Sequence, residues 1–300
     1  MAAAPDFDEA AKVLTECGYP ELTGASDGEV EAALSARRLE TLADMERLCP
    51  EPALVEAFRL RYDYHNAKVL VKAEGAGVGG ETLLSEAGRV SPAALQRAYA
   101  EDNWRAVPAA FSAAVRGAKS TLARTANPQL TDMELDKAYY AELLGLTQTL
   151  STGFYTDYVR LCIDTANLRS AVRCLRGRMD EGVLRAALIP DGEVPASQIA
   201  RRVYGEGVTA VFTARELAQA AELGRKAVEG GELSAFEREC DNVLTRRLGE
   251  AKRVSFGPAV AVAYLASLEG EIVAARMVLL GKRGGVSAEV LRERLRESYV

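Results

Sequence analysis

Along most of the chain apolar residues recur three and four positions apart, separated by charged or small residues. Asp136-Lys-Ala-Tyr-Tyr-Ala-Glu-Leu-Leu and Leu291-Arg-Glu-Arg-Leu-Arg-Glu carry the pattern, which gathers the apolar side chains on one face of a helix. Runs of β-branched residues alternating with period two are almost absent. Ala, Leu, Glu and Arg dominate instead, all good helix formers. Prolines punctuate the pattern rather than interrupt it. Ser91-Pro92 joins an N-cap hydroxyl to a first-turn proline, and Asn127-Pro128 and Gly257-Pro258 mark similar breaks ahead of apolar-periodic stretches. The pattern predicts an all-α protein of short and medium helices, with no Pro- or Ser-rich linker long enough to separate independent domains.

The same pattern repeats at long range. Asp63-Tyr-His-Asn66-Ala-Lys68 recurs as Asp164-Thr-Ala-Asn167-Leu-Arg169 and, degraded, as Glu271-Ile-Val-Ala274-Ala-Arg276, with separations of 101 and 107 residues between the acids. Each copy runs into glycine-containing sequence at Gly75, Gly177 and Gly281. A second frame then follows, Gly-x-Val with an aliphatic residue five positions after the Val: Gly88, Val90 and Leu95; Gly192, Val194 and Ile199; Gly284, Val286 and Leu291. Two frames in the same order, three times, predict three related units, 1–108, 109–214 and a truncated 215–300, folded together as one body. A length prior of about 150 residues per domain alone would give two. The acid and the Asn share one helical stripe, while the cation at +5 is turned about 140° away and cannot form a simple i,i+4 pair with the acid. Two readings of Asp63, Asn66, Lys68, Asp164, Asn167, Arg169, Glu271 and Arg276 stay open: polar ties to helix ends or neighbouring helices inside the bundle, or a partner-binding surface.

Charge and composition narrow the function. The 300 residues carry 37 basic and 43 acidic side chains, a net charge of −6, which disfavours nucleic acid as a main partner. At this length about 75% of the unfolded surface can be buried, so no disulfide or metal is needed to stabilise a core. The uncharged run Val254 to Leu268 stops at Glu269, short of the roughly 20 residues that cross a bilayer. The acidic start of the chain shows no secretory signal, so a cytosolic location is expected. Five scattered cysteines with no CxxC pair are expected to be free, mostly buried thiols.

Little chemistry is on offer. The single histidine, His65, leaves no His pair for a metal, and next to Asp63 it is expected to be a surface or packing residue. Gly75-Ala-Gly77-Val-Gly79-Gly80 has dinucleotide-loop spacing, but it follows a helical stretch with no βαβ context and is expected to be a loop. Gly117-Ala-Lys119-Ser120 has the tail of a phosphate loop, with Ser112 where its first glycine belongs. No catalytic residue, cofactor or metal site is assigned. Arg169, Arg173, Arg176 and Arg178, and Lys282, Arg283, Arg292, Arg294 and Arg296, either serve helix C-termini or form a basic rim for an acidic partner.

At Tyr62-Asp63-Tyr64-His65-Asn66-Ala67-Lys68-Val69-Leu70-Val71-Lys72 the chain resembles the C subunit of bacterial and archaeal V/A-type ATPases, the counterpart of the d subunit of the vacuolar enzyme. The closing stretch, Tyr264 to Lys282 and Arg292 to Val300, is similar to that family's C-terminal signature, and the likeness runs from about Leu14 to the end. Ala274 stands where the family pattern has Asn, and members usually carry an additional N-terminal helical stretch ahead of the point where this sequence starts. The resemblance implies a funnel of three similar helical units around a pseudo-threefold axis. It further implies a non-catalytic rotor subunit on the cytoplasmic face of the membrane, coupling the central stalk to the membrane rotor ring of proteolipid subunits for proton or sodium transport. A general helical scaffold is the main alternative, and a helical enzyme using Asp63, His65 and the glycine loop a third.

Overall fold

The computed structural model describes residues 1–299 and is helical throughout, with no strand among the described residues. The helices are α1 (Phe7–Glu16), α2 (Asp27–Leu48), α3 (Pro52–Ala76), α4 (Pro92–Glu101), α5 (Ala109–Thr125), α6 (Pro128–Thr147), α7 (Gly153–Arg176), α8 (Glu181–Ala187), α9 (Ala196–Glu206), α10 (Val208–Val211), α11 (Ala218–Val228), α12 (Leu233–Gly249), α13 (Pro258–Arg283) and α14 (Ala288–Arg294). Proline opens α3, α4, α6 and α13, where its missing N–H costs nothing. Ser91 Oγ accepts from Ala94 N and Asn127 Oδ1 from Gln129 N, capping α4 and α6 as the proline breaks predict. The helices bearing the acid frame, α3, α7 and α13, hold 25, 24 and 26 residues, longer than the short and medium helices that the periodicity predicts. The acid and Asn of the first two frames interrupt the apolar pattern, and each faces a partner outside its own helix.

The chain gathers into two compact units, Met1–Leu48 with Glu232–Val300, and Cys49–Gly231. In the first, α13 packs on α1, α2 and α12, and Ala10, Leu14, Val30, Leu34, Ile272 and Leu279 form one buried cluster. In the second, α3 packs on α5 and α6, α6 on α7, and α7 on α11. Its core holds a run of rings that joins four of these helices: Tyr64 meets Phe111 edge-on at 5.2 Å and Tyr139 at 5.7 Å, and Phe58 stacks on Tyr155 at 5.3 Å. These units cut across the three predicted repeats for a physical reason. Each acid-bearing helix packs on the opening helices of another repeat, α3 on α5 and α6, α7 on α11, and α13 on α1 and α2, so contacts group elements that the sequence repeat separates.

By length and composition α13 would suffice to cross a bilayer, a longer apolar element than the uncharged run alone indicates. Four of its charged residues are nonetheless engaged by protein: Arg38 grips Glu269 through two nitrogens, Nε at 3.0 Å and Nη2 at 3.2 Å, Tyr19 donates to Glu271, Arg276 pairs with Glu31 and Arg283 with Asp27.

Candidate functional site

The acid and Asn of the first two frames do the same job twice. Asp63 and Asn66 on α3, and Asp164 and Asn167 on α7, are all buried. Asn66 accepts from Ser85 N at 2.7 Å and donates to Ser85 O at 2.8 Å. Asn167 accepts from Ile189 N and donates to Ile189 O, both at 2.8 Å. A side-chain amide thus pairs with both polar groups of one loop residue, as a neighbouring strand would. One helical turn back, Asp63 Oδ1 accepts from Val90 N at 3.0 Å and Asp164 Oδ1 from Val194 N at 3.1 Å. These valines belong to the second sequence frame, and its glycine has a reason too. A Cβ on Gly88 or Gly192 would overlap the carboxylate of Asp63 or Asp164, so only glycine lets the loop approach that closely. The residue after each valine, Ser91 or Pro195, then starts α4 or α9, whose Leu95 or Ile199 is fully buried.

The third copy keeps the helices and loses the lock. Glu271 is exposed and accepts from Tyr19 Oη at 2.8 Å. No long loop is present to hold: α13 ends, Val286 N donates to Gly281 O at 2.8 Å, and Ser287 already caps α14. Ala274 in place of Asn is explained by that deletion. The three helix ends also reveal the true register. Left-handed residues Gly77, Arg178 and Gly285 close α3, α7 and α13, each fourteen positions after its acid, whereas the glycines at 75, 177 and 281 fall at unequal offsets.

Electrostatics separate the two locks. In the first, Arg89 Nε reaches Asp63 Oδ2 at 2.7 Å and its Nη2 reaches Glu142 Oε1 at 2.8 Å, while Tyr64 donates to Glu142 Oε2 at 2.9 Å. Burial still raises the Asp63 carboxyl above its ordinary value, with Arg89 and the Val90 N–H opposing. In the second, Glu193 stands where Arg89 does. Asp164 is pushed up to about 6, chiefly by burial, against the hydrogen bonds from the Val194 and Glu193 backbone.

Two of the cations at +5 serve neighbouring helices. Lys68 on α3 pairs with Asp136 on α6, and Arg276 on α13 with Glu31 on α2; Arg169 on α7 is half-buried and likewise engaged. Part of the Arg-rich stretches is also internal. Arg176 and Arg283, each twelve positions after its acid, reach loop carbonyls: Arg176 donates to Ala227 O at 2.8 Å and Gly231 O at 2.7 Å, and Arg283 to Ala25 O and to Asp27. Arg296 pairs with Asp241. Arg178, Arg292 and Arg294 are exposed. In α3 the twelfth position is Gly75, whose space lies against Leu122, so sequence comparison of the frames alone misses the arginine pair.

The residues considered for chemistry do not converge. His65 is exposed, its Nε2 lies 3.0 Å from Leu83 O, and its position is turned about 200° around the helix from Asp63. The glycine run ends α3, with Gly80 packed on Val69 and Ala73. Gly117, Lys119 and Ser120 lie within α5 rather than in a loop, and Lys119 sits 4.3 Å from the Tyr99 ring centroid. All five cysteines are free; Cys174 and Cys240 are buried, Cys162 and Cys49 half-buried, and Cys17 exposed, so fewer are buried than expected. Burial pushes the Cys162 thiol up to about 12, away from nucleophilic thiolate. Among the described residues no group of three or more His, Cys, Asp or Glu is placed to hold a metal ion.

Known proteins resemble this chain along its length. It is 26% identical over 303 residues to the C subunit of the V-type sodium ATPase of Enterococcus hirae, covering all of this chain and 92% of the relative. It is 27% identical to the C subunit of the V-type ATP synthase of Thermus thermophilus, over 92% of this chain and 85% of that one. The C subunit of the A-type ATP synthase of Pyrococcus abyssi is 23% identical over 90% of this chain and 75% of its own length. The model of the ATP synthase (C/AC39) subunit family matches residues 1–294. With the acid-bearing helices, their locked loops and their short closing helices all inside that match, the chain belongs to the ATP synthase (C/AC39) subunit family.

Proposed function

We propose that this protein is a non-catalytic coupling subunit of a rotary V/A-type ATPase, seated on the cytoplasmic face of the membrane between the central stalk and the proteolipid rotor ring. In this reading residues 1–108, 109–214 and 215–300 are three similar helical units around a pseudo-threefold axis, forming a funnel whose concave side receives the stalk. The observation that carries it is the packing rule repeated three times: α3 on α5 and α6, α7 on α11, and α13 back on α1 and α2. The contact of α13 with α1 and α2 joins the last repeat of this reading to its first. The full-length family match supports the place in the machine.

A coupling part must transmit torque without yielding, and the use of frame residues fits that demand. Asp63, Asn66, Lys68, Asp164, Asn167, Arg169 and Arg276 are engaged inside the protein, which favours a stiffening role over direct partner contact. Tagged protein recovered from detergent-solubilised membranes should bring rotor-ring and central-stalk subunits with it. Recovery of the chain without either would overturn the proposal and leave a general helical scaffold.

A further inference from the structure

Four of the ten large apolar side chains that stand exposed among the described residues fall within eleven positions: Val254 at 46%, Phe256 at 89%, Val260 at 37% and Tyr264 at 48%. Val260 and Tyr264 lie one turn apart on α13 and share a face. Phe256 precedes them in a turn closed by Gly257, whose φ of +112° suits glycine, and by Pro258 at the helix start. Lys252 and Arg253 are exposed immediately upstream, and no acid occurs from Ala251 to Leu268. Lys252 Nζ rests 4.7 Å from the Tyr299 ring centroid, a contact that leaves its charge in place. The other faces of α13 are taken by α1, α2 and α12.

We propose that the segment Lys252 to Tyr264 is a membrane-surface contact, inserting Phe256 and Val260 at the headgroup boundary of an anionic bilayer while Lys252 and Arg253 meet its phosphates. The chemistry selects this occupant. An aromatic tip beside two cations, with a tyrosine one turn beyond, matches a headgroup region that is apolar below and negatively charged above. Lys and Arg lay their hydrocarbon stems along the apolar tip and lift their charges to the phosphates. Local charge complementarity is needed, because a chain of net charge −6 is repelled as a whole by such a surface. An open cleft lined by Trp104, Arg105 and Arg116 lies elsewhere in the sequence and shares no residue with this segment. With two cations and a few apolar side chains the contact is weak and reversible. It stands independently of the rotary assembly proposed above.

The test is flotation of the purified full-length chain with vesicles of phosphatidylcholine alone or of equal parts phosphatidylcholine and phosphatidylglycerol. Binding is expected only to the anionic vesicles and should weaken with added salt. K252A/R253A should bind about 25-fold more weakly, at roughly fivefold per basic side chain, and F256A about tenfold more weakly through lost apolar burial. All three side chains are exposed, so the variants should keep the parent's helical circular dichroism spectrum, which is recorded alongside. Wild type that ignores anionic vesicles, or variants that bind like wild type, would overturn the proposal. Failure on vesicles combined with loss of F256A from native membranes would make this surface a protein interface instead.

Discussion

Asp164 offers the sharpest test of the lock geometry, because its carboxylate is buried without the arginine that Asp63 enjoys. Its rise from 3.8 to about 6 means that the folded chain holds this proton more tightly than the unfolded chain between about pH 4 and pH 6. Stability from this group is therefore complete below about pH 4, falls as pH climbs through about 6, and stays lost above it, a difference of about 3 kcal/mol. Asp164→Asn keeps an oxygen for the Val194 N–H but no longer titrates. Urea unfolding followed by the fluorescence of Trp104, the single tryptophan and a member of the same compact unit, gives the stability of parent and variant at a series of pH values. The variant should gain on the parent by about 3 kcal/mol between pH 4 and pH 7. Asp63→Asn is the contrast: it deprives the largely buried Arg89 of one of its two carboxylates, and should cost about 3 kcal/mol across the neutral range. Parallel stability curves for parent and Asp164→Asn would refute the reasoning.

Two further predictions concern packing. Gly192→Ala should destabilise by about 2 kcal/mol, because the new methyl displaces the loop from Asp164, and hydrogen exchange at the Val194 amide should quicken with it. A fragment of residues 1–108 should show no cooperative unfolding transition, since α3 loses α5 and α6 and α1 loses α13; a sharp denaturant midpoint for this fragment would count against repeats that fold only together.

Helical class, proline-opened helices and the order of the frames were legible because they depend on local spacing. The partners of the frame residues were not. That Asn66 would take both polar groups of Ser85, or that Gly88 makes room for Asp63, depends on where a loop returns in space, and the sequence states only that the residues recur. Register failed for a related reason: Arg178 adopts the left-handed conformation usually given to glycine, so searching for glycine aligns the wrong positions. The tyrosines were visible singly, but their joining of α3, α5, α6 and α7 needed the packed helices.

A loop held at one point can still swing about it. Asn66 and Asp63 hold theirs at Ser85 and Val90, and Asn167 and Asp164 at Ile189 and Val194, so each loop is fixed along a line, like a plank with two nails. A substitution that removes one of the two ties turns that splint into a pivot, although Leu95 or Ile199, buried at the foot of the short helix, still holds the far side of the loop. Losing the second residue of a lock after the first should then remove the last of these side-chain ties and loosen the whole loop, so the double variant should lose more than either single one.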